Sequence, residues 1–147
     1  MKQQEALHRL QLMVRLRDND VERLEAELVA KRRLQERYRR NIERMGELCG
    51  QSGASAATAS PTLALNCAGY KGALLQLMAS QQQDLNLAEA DAAVSQRALM
   101  AATLRREAMV QVRDDAAERL AGERARREQK HTDDFAGQAW WRGRTVV

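Results

Sequence analysis

Three side chains near the C-terminus are of the types that build metal sites. His131 is followed by Asp133 and Asp134, and an imidazole with two carboxylates can hold a divalent cation. Positions this close together on a polar helix form no enclosed pocket, and the one other histidine, His8, is far away in the sequence. We therefore interpret this group as a solvated helix end, and we expect neither a metal nor another cofactor.

Sequence motifs of catalytic sites are missing from the chain. It contains no glycine-rich phosphate loop, no HExxH and no GxSxG. Cys49 and Cys67 stand alone, without a CxxC pair or a neighbouring histidine, which favours two reduced thiols over a zinc site. We expect no catalytic residue, and we predict that the protein is not an enzyme.

A basic run, "KRRLQERYRRNIER", covers residues 31–44 with seven basic and two acidic side chains. Clustered Lys and Arg can bind nucleic acid through counterion release. Tyr38 and Ile42 of this run fall on an apolar helix stripe, which leaves the arginines on an outer face. We therefore interpret the run as a solvated face and expect no nucleic acid; a surface for an acidic protein is the second interpretation.

The composition favours long, narrowly packed helices. Only 3% of the residues are aromatic, 30% are charged and one is proline, a mixture that cannot fill a wide core. The net charge of +4 arises from 24 basic and 20 acidic side chains, so the surface is mixed in sign. The N-terminus has no apolar signal-peptide run, and no eighteen apolar residues follow one another, which predicts a cytoplasmic protein.

A heptad pattern runs through the first third of the chain. Counting in sevens from Leu7 and from Leu10 gives thirteen positions, ten of them apolar. The positions are Leu7, Val14, Val21, Leu28, Gln35, Ile42 and Cys49, with Leu10, Arg17, Leu24, Lys31, Tyr38 and Met45. Because this spacing keeps one stripe of a helix against a partner, it predicts a helix over about residues 3–47.

The helical pattern then stops in a segment rich in small residues. "GELCGQSGASAATAS", residues 46–60, has no apolar period and predicts a loop over about residues 48–61. Ser60 followed by Pro61 indicates a new helix, because serine caps free N–H groups and proline suits the first helical position. We predict this second helix over about residues 62–137 and a tail over 138–147.

An alanine-rich stripe marks the inner face of the second helix. Its members are Met78, Leu85, Ala88, Ala92, Leu99, Ala102, Met109, Val112, Ala116 and Leu120. Arg106 and Arg113 interrupt the heptad frame, so we expect the stripe to drift or end there. Gly69 and Gly72 weaken the first turns, and a firm helix is expected only from near Ala73.

Two such helices joined by about fifteen residues predict an all-α fold, an antiparallel coiled-coil hairpin that forms a single domain over residues 1–147. The second helix is the longer one. From about residue 110 onward we therefore expect it to extend past the N-terminus without a first-helix partner. This overhang ends in Phe135, Trp140 and Trp141.

The ending "EQKHTDDFAGQA" resembles the FliJ family of flagellar export proteins. The family's C-terminal pattern is an acid or amide, a lysine, two spacers, an acidic pair and an apolar residue. Here these positions are Gln129, Lys130, Asp133, Asp134, Phe135 and Ala136. The segment "ERYRRNI", residues 36–42, is similar to the family's late first helix. Trp140 and Trp141 depart from the family, whose tail is usually polar or basic.

The resemblance implies a nonenzymatic central stalk of the flagellar type III export ATPase. Its partners would be the hexameric ATPase with its regulator, the cytoplasmic ring of the export gate, and export chaperones. The protein would lie at the cytoplasmic face of the inner membrane, held there peripherally through these partners. The implied ATPase-ring contact consists of Leu120, Gln129, Lys130, Asp133, Asp134 and Phe135.

The resemblance also implies an export-gate contact near the start of the second helix. Tyr70, Leu74, Leu77 and Gln81 recur at helical spacing and share one face. The same face could instead close the hairpin near its loop, and the sequence leaves both interpretations open.

Three other functions remain open from the sequence. They are the equivalent stalk of a virulence injectisome, a basic coiled-coil nucleic-acid-binding protein, and a regulator that pairs with itself as a homodimeric coiled coil.

Overall fold

The computed structural model describes residues 2–52 and 60–144, which form two α-helices. Helix α1 covers Lys2–Gln51 and helix α2 covers Pro61–Arg144. No strand occurs in these two ranges, which confirms the all-α fold class. Residues 53–59 of the predicted loop and residues 145–147 of the predicted tail lie outside the described residues.

Helix α1 continues beyond residue 47, where Gly46 and Gly50 predict that it ends. The Cys49 side chain is only 7% exposed, so the apolar stripe continues into the last turn. Ser52 closes that turn: its N–H donates to the Leu48 carbonyl at 2.9 Å and its hydroxyl to the Cys49 carbonyl at 3.3 Å. Burial and these two hydrogen bonds offset the low helix propensity of Gly46 and Gly50.

Helix α2 begins at Pro61, where the Ala64 N–H donates to the Ser60 carbonyl at 3.1 Å. Gly69 and Gly72 both lie inside this helix, so the expected later start near residue 73 is wrong. A glycine lowers helix stability without breaking the backbone hydrogen bonds, and the turns on either side carry the helix through. Helix α2 also continues past residue 137 to Arg144.

The chain divides into two compact units, each with a stretch of both helices. Unit 1 comprises Met1–Val21 and Ala102–Val147, and unit 2 comprises Glu22–Ala101. Within unit 1, Gln3 donates to Glu123 at 2.9 Å and Arg106 to Asp18. Within unit 2, Lys31 lies 3.0 Å from Asp91, Arg39 lies 2.8 Å from Glu89, and Gly46 packs beside Met78. In each unit, taken by itself, the stretches run in opposite directions.

The heptad stripe predicted for α1 is confirmed by burial. All thirteen positions are buried or half-buried, including the polar Gln35, Arg17 and Lys31. Val14 and Leu28 are the most enclosed, at 5% and 4% exposure. Because the stripe holds its spacing along α1, the same side of the helix is covered throughout.

The stripe on α2 also keeps the heptad spacing, which corrects the prediction for its second half. Its buried and half-buried members in steps of seven are Leu74, Gln81, Ala88, Ser95, Ala102, Met109, Ala116 and Glu123, with Met78, Leu85, Ala92, Leu99, Arg106, Arg113 and Leu120. Arg106 and Arg113 are therefore members of the stripe and do not end it. Val112 is 52% exposed, so its predicted place in the stripe is wrong.

Few side chains are deeply buried, because each helix stretch covers only one face of another. The buried residues are Val14, Leu28, Cys49, Leu74, Leu85, Ala92, Ser95 and Ala102. Burying one Leu side chain stabilises a fold by roughly 2 to 3 kcal/mol, so a handful of stripe residues carries most of the packing energy. Within the described residues, neither helix has a window long and apolar enough to cross a membrane.

Candidate interaction surfaces

The last part of α2, residues 124–144, is helical although no described part of the chain buries it. We call it the C-terminal segment. Each of its residues is exposed, in contrast to the stripe that precedes it. It carries charges of both signs, and local contacts support the helix: Arg127 lies 3.7 Å from Glu123, and the Thr132 hydroxyl donates to the Glu128 carbonyl at 2.9 Å. Such local contacts add only a few tenths of a kcal/mol each, roughly, so this helix is marginal by itself.

Aromatic side chains of the C-terminal segment stand in solvent. Phe135, Trp140 and Trp141 are 64%, 58% and 69% exposed. The two tryptophan rings meet edge to face with centroids 6.4 Å apart, and the Arg144 guanidinium lies 4.6 Å from the Trp140 ring centroid. Covering large apolar surface with a partner is favourable, because it removes that surface from water. This segment therefore has the properties of a docking element.

Five of the six residues implied for the ATPase-ring contact lie together on this segment. Gln129, Lys130, Asp133, Asp134 and Phe135 are all exposed, within two turns of one helix. The sixth, Leu120, is half-buried and lines a shallow groove with Lys2, Gln3 and Gln4.

The contacts around Leu120 show how far along α2 the partner stretch of α1 extends. The hydrogen bond from Gln3 to Glu123 shows that α2 has an α1 partner well past residue 110. The expectation that α2 is uncovered from about residue 110 is therefore wrong. Its physical reason is the unbroken stripe, in which Arg113, Ala116 and Leu120 are still half-buried.

The four residues implied for the export-gate contact divide into two pairs. Leu74 is 9% exposed and Gln81 is half-buried, and both are members of the α2 stripe in unit 2. Tyr70 and Leu77 are 50% and 49% exposed. A partner can reach only the second pair while the helices stay together, so the surface available for such a contact is centred on Tyr70 and Leu77.

A polar layer interrupts the stripes in unit 2. The Lys31 ammonium donates to the Ser95 hydroxyl at 2.6 Å and to the Asp91 carboxylate at 3.0 Å, and it lies 3.1 Å from Glu27. Hydrogen bonding to Asp91 and then to Glu27 raises the pKa of Lys31 above its ordinary value of 10.5. The Gln35 amide donates to the Ala88 carbonyl at 3.1 Å. These polar groups find their partners only in this register of the two helices.

Sequence reasoning missed Ser95, the one buried polar residue among the described side chains. Its signal was present in the heptad count, because Ser95 lies in steps of seven from Leu74 through Gln81 and Ala88. A half-buried lysine on the opposing stripe favours a polar neighbour, since a partly desolvated ammonium without a partner is costly.

The basic run of residues 31–44 divides into two sets in unit 2. Lys31, Arg32 and Arg39 reach across to α2: Arg32 donates to Gln96 at 2.8 Å and Arg39 to Glu89 at 2.8 Å. Four arginines, Arg33, Arg37, Arg40 and Arg44, are exposed and point away from the stripe. The run is therefore only in part a solvated face, because nearly half of its charges join the two helices.

The residues considered for metal binding do not form a cluster. No group of three metal-ligating side chains comes together within residues 2–52 and 60–144. The His131 ring packs on Phe135, with centroids 5.1 Å apart, as part of the exposed aromatic surface. Cys49 and Cys67 are free thiols, buried and half-buried respectively.

Comparison with known proteins gives one family. The family model described as the flagellar FliJ protein matches residues 6–145, nearly the whole chain. No curated protein and no solved structure matches the chain.

Proposed function

The chain belongs to the FliJ family of flagellar proteins, and from this premise we propose that it is the central stalk of the flagellar export ATPase. Membership gives the chain a flagellar export-related role, in a family that is in general nonenzymatic. The stalk, its partners and the surfaces that bind them are the specific form of that role that we propose.

The proposed stalk is one antiparallel coiled-coil hairpin of α1 and α2 with an overhanging end. Two observations support it. The contacts within each unit run in opposite order along the two helices, and both helices keep heptad spacing over the covered part. The overhang in this proposal is the C-terminal segment, which begins near residue 124.

We assign the ATPase-ring contact to the C-terminal segment. The observation that carries this assignment is a helix of residues 124–144 that is exposed throughout and holds three uncovered aromatic side chains. A helix this marginal gains stability when a partner covers it, and covering one aromatic side chain contributes roughly 2 to 3 kcal/mol. Charges of both signs let the segment face a charged ring lining without locking to one subunit.

The remaining contacts use other parts of the chain. Tyr70 and Leu77 would face the cytoplasmic ring of the export gate, while Leu74 and Gln81 hold the helix in place beneath them. Export chaperones and the regulator of the ATPase complete the proposed partners. These partners would hold the protein peripherally at the cytoplasmic face of the inner membrane. The match to a flagellar family favours this system over the injectisome counterpart.

Deletion of residues 128–147 tests the ring assignment. We expect the truncated protein to lose its stimulation of the cognate ATPase while its far-ultraviolet circular dichroism shows the rest still helical. Phe135→Ala should give part of the same loss. Leu87→Ala is the matched control, because Leu87 is 70% exposed but lies outside the C-terminal segment. Full stimulation by the truncated protein would exclude this segment as the ring-facing end.

A second pair of variants tests the gate assignment. Leu77 and Leu75 are two residues apart and 49% and 51% exposed, but they lie on different faces of α2. Leu77→Asp should weaken binding to the isolated gate ring at least about tenfold, whereas Leu75→Asp should leave it unchanged. Equal effects of the two variants, or none from Leu77→Asp, would contradict the assignment.

A further inference from the structure

The outer face of α1 in unit 2 carries a line of four arginines, which we call the arginine ridge: Arg33, Arg37, Arg40 and Arg44. Their spacings of four, three and four residues place them on one side of the helix, opposite the stripe. All four are exposed. At 1.5 Å per residue the ridge is about 16 Å long, roughly three helical turns.

The ridge is poorly neutralised within the described part of the chain. Arg40 lies 4.0 Å from Glu36, at the limit of an ion pair. Arg37 lies beside the Tyr38 ring, at 6.0 Å from its centroid, and no carboxylate in the described ranges pairs with Arg33, Arg37 or Arg44. Like charges three or four residues apart repel one another and destabilise a helix. A ligand with the opposite charge would remove this repulsion.

We infer that the arginine ridge binds an acidic helical segment of a protein partner. A helix with Asp or Glu at the same spacings of four, three and four would face the ridge turn by turn. Each guanidinium can then donate two hydrogen bonds to one carboxylate, which a lysine ammonium cannot do in this geometry. These residues take no part in the ring or gate contacts proposed above.

The neighbours of the ridge favour a protein over nucleic acid. Glu36 and Glu43 are exposed along one flank of the ridge. The phosphates of a duplex form a continuous line of negative charge that would meet these carboxylates, whereas a partner helix can place a basic residue opposite each of them. Tyr38, the one aromatic residue of the run, is half-buried on the stripe and is not presented for base stacking.

Binding of a synthetic peptide to the full chain tests this inference. The probe is a labelled helical peptide with four glutamates at the ridge spacing, and the same peptide with glutamines is its control. The decisive variant is Arg37→Glu with Arg40→Glu. The new carboxylates lie four residues from Arg33 and Arg44, which offsets the loss of the Glu36–Arg40 pair, and far-ultraviolet circular dichroism of the variant checks that both helices remain.

We expect the double variant to bind the glutamate peptide at least about tenfold more weakly by fluorescence anisotropy. The matched control is Arg97→Glu with Arg105→Glu, the same charge change at exposed positions of α2 with no acid four residues away. It should bind the peptide as the unmodified chain does.

Three results would overturn the inference. The first is unchanged binding by the ridge variant, and the second is an equal loss with the α2 control pair, which would show a general charge effect. The third is tighter binding of a short DNA duplex than of the peptide, with the same sensitivity to the ridge variant, which would assign the ridge to nucleic acid.

Discussion

Two stretches of the same helix, residues 74–99 and residues 124–144 of α2, have opposite relations to solvent. The first has a member of the stripe at every third or fourth position, and Leu74, Leu85, Ala92 and Ser95 are buried. In the second every residue is exposed. Both are helical, so helix formation by itself does not distinguish them.

The difference lies in how the apolar side chains are spaced. In the first stretch they recur with the heptad period that keeps one face against α1. In the C-terminal segment Phe135, Trp140 and Trp141 project in different directions around the helix. Apolar side chains that share no face cannot be covered by one neighbouring helix. They suit a partner that surrounds the helix.

The largest effect expected from this comparison comes from two leucines of the first stretch. Leu85 is 6% exposed and Leu87 is 70% exposed. Leu85→Ala should lower the free energy of unfolding by about 2 to 3 kcal/mol, because it removes buried apolar surface and leaves a cavity. Leu87→Ala should change it by less than about 0.5 kcal/mol. Urea unfolding followed by circular dichroism measures both; equal changes would show that the stripe is misplaced.

A smaller effect is expected from two glycines, one in each kind of environment. Gly46 lies in unit 2, where an added methyl group would be 3.7 Å from the Met78 methyl, an ordinary contact. Gly46→Ala should therefore stabilise the protein by about 1 kcal/mol, the difference in helix propensity. Gly137 lies in the C-terminal segment, where an added methyl group would have no described atom of another residue's side chain within 4 Å.

Gly137→Ala should raise helicity locally without shifting the urea midpoint. Amide hydrogen exchange separates the two cases: protection should increase across unit 2 for the first variant and only near residue 137 for the second. A shifted global midpoint for Gly137→Ala would show that the C-terminal segment unfolds together with its unit.

The smallest effect concerns the polar layer and appears only at high pH. Hydrogen bonding to Asp91 raises the pKa of Lys31 above 10.5 in the folded state. The stabilising charge is therefore fully present below that ordinary pKa of 10.5, which applies to the unfolded chain, and is lost as the pH rises through the folded pKa. An arginine remains charged over this range.

The stability difference between the unmodified chain and Lys31→Arg should therefore be constant to about pH 10. Above that pH the unmodified chain should become less stable relative to the variant. Thermal unfolding between pH 8 and pH 11, roughly, provides the measurement. The change should shrink when Asp91→Asn removes the first partner of Lys31. A difference that stays flat through the whole range would mean that the layer does not hold the ammonium in the folded state.

The α1 stripe could be predicted from sequence in full, and the α2 stripe only in part. Counting in sevens kept Arg17, Lys31 and Gln35 in the first stripe although they are polar. Following apolar residues alone put Val112 in the second stripe and left out Arg113. A long basic side chain can cover apolar surface with its methylene groups while its charge stays at the edge, so polarity is a poor guide at such positions.

The candidate surfaces show a similar limit. The exposed ending with its aromatic side chains was evident from composition and spacing, because Phe135 and Trp140 fall outside the heptad frame of the stripe and the frame positions that lead from Leu120 to Trp141 are the charged Arg127 and Asp134. The roles of Leu74 and Gln81 were not evident. A stripe of apolar residues on a helix indicates that another element packs against it. Whether that element is α1 or a partner protein depends on the register of α1 and α2.

The edge-to-face ring pair at the end of α2 has a practical consequence. Trp140 and Trp141 are the only tryptophans in the chain. Their ultraviolet emission therefore reports on the C-terminal segment alone, and unfolding elsewhere along the helices is nearly silent in this signal. Transfer of the pair from water to a covered site shifts such emission to shorter wavelength. The protein thus carries a built-in optical reporter, without a dye, at the end of the helix where we expect its partner to bind.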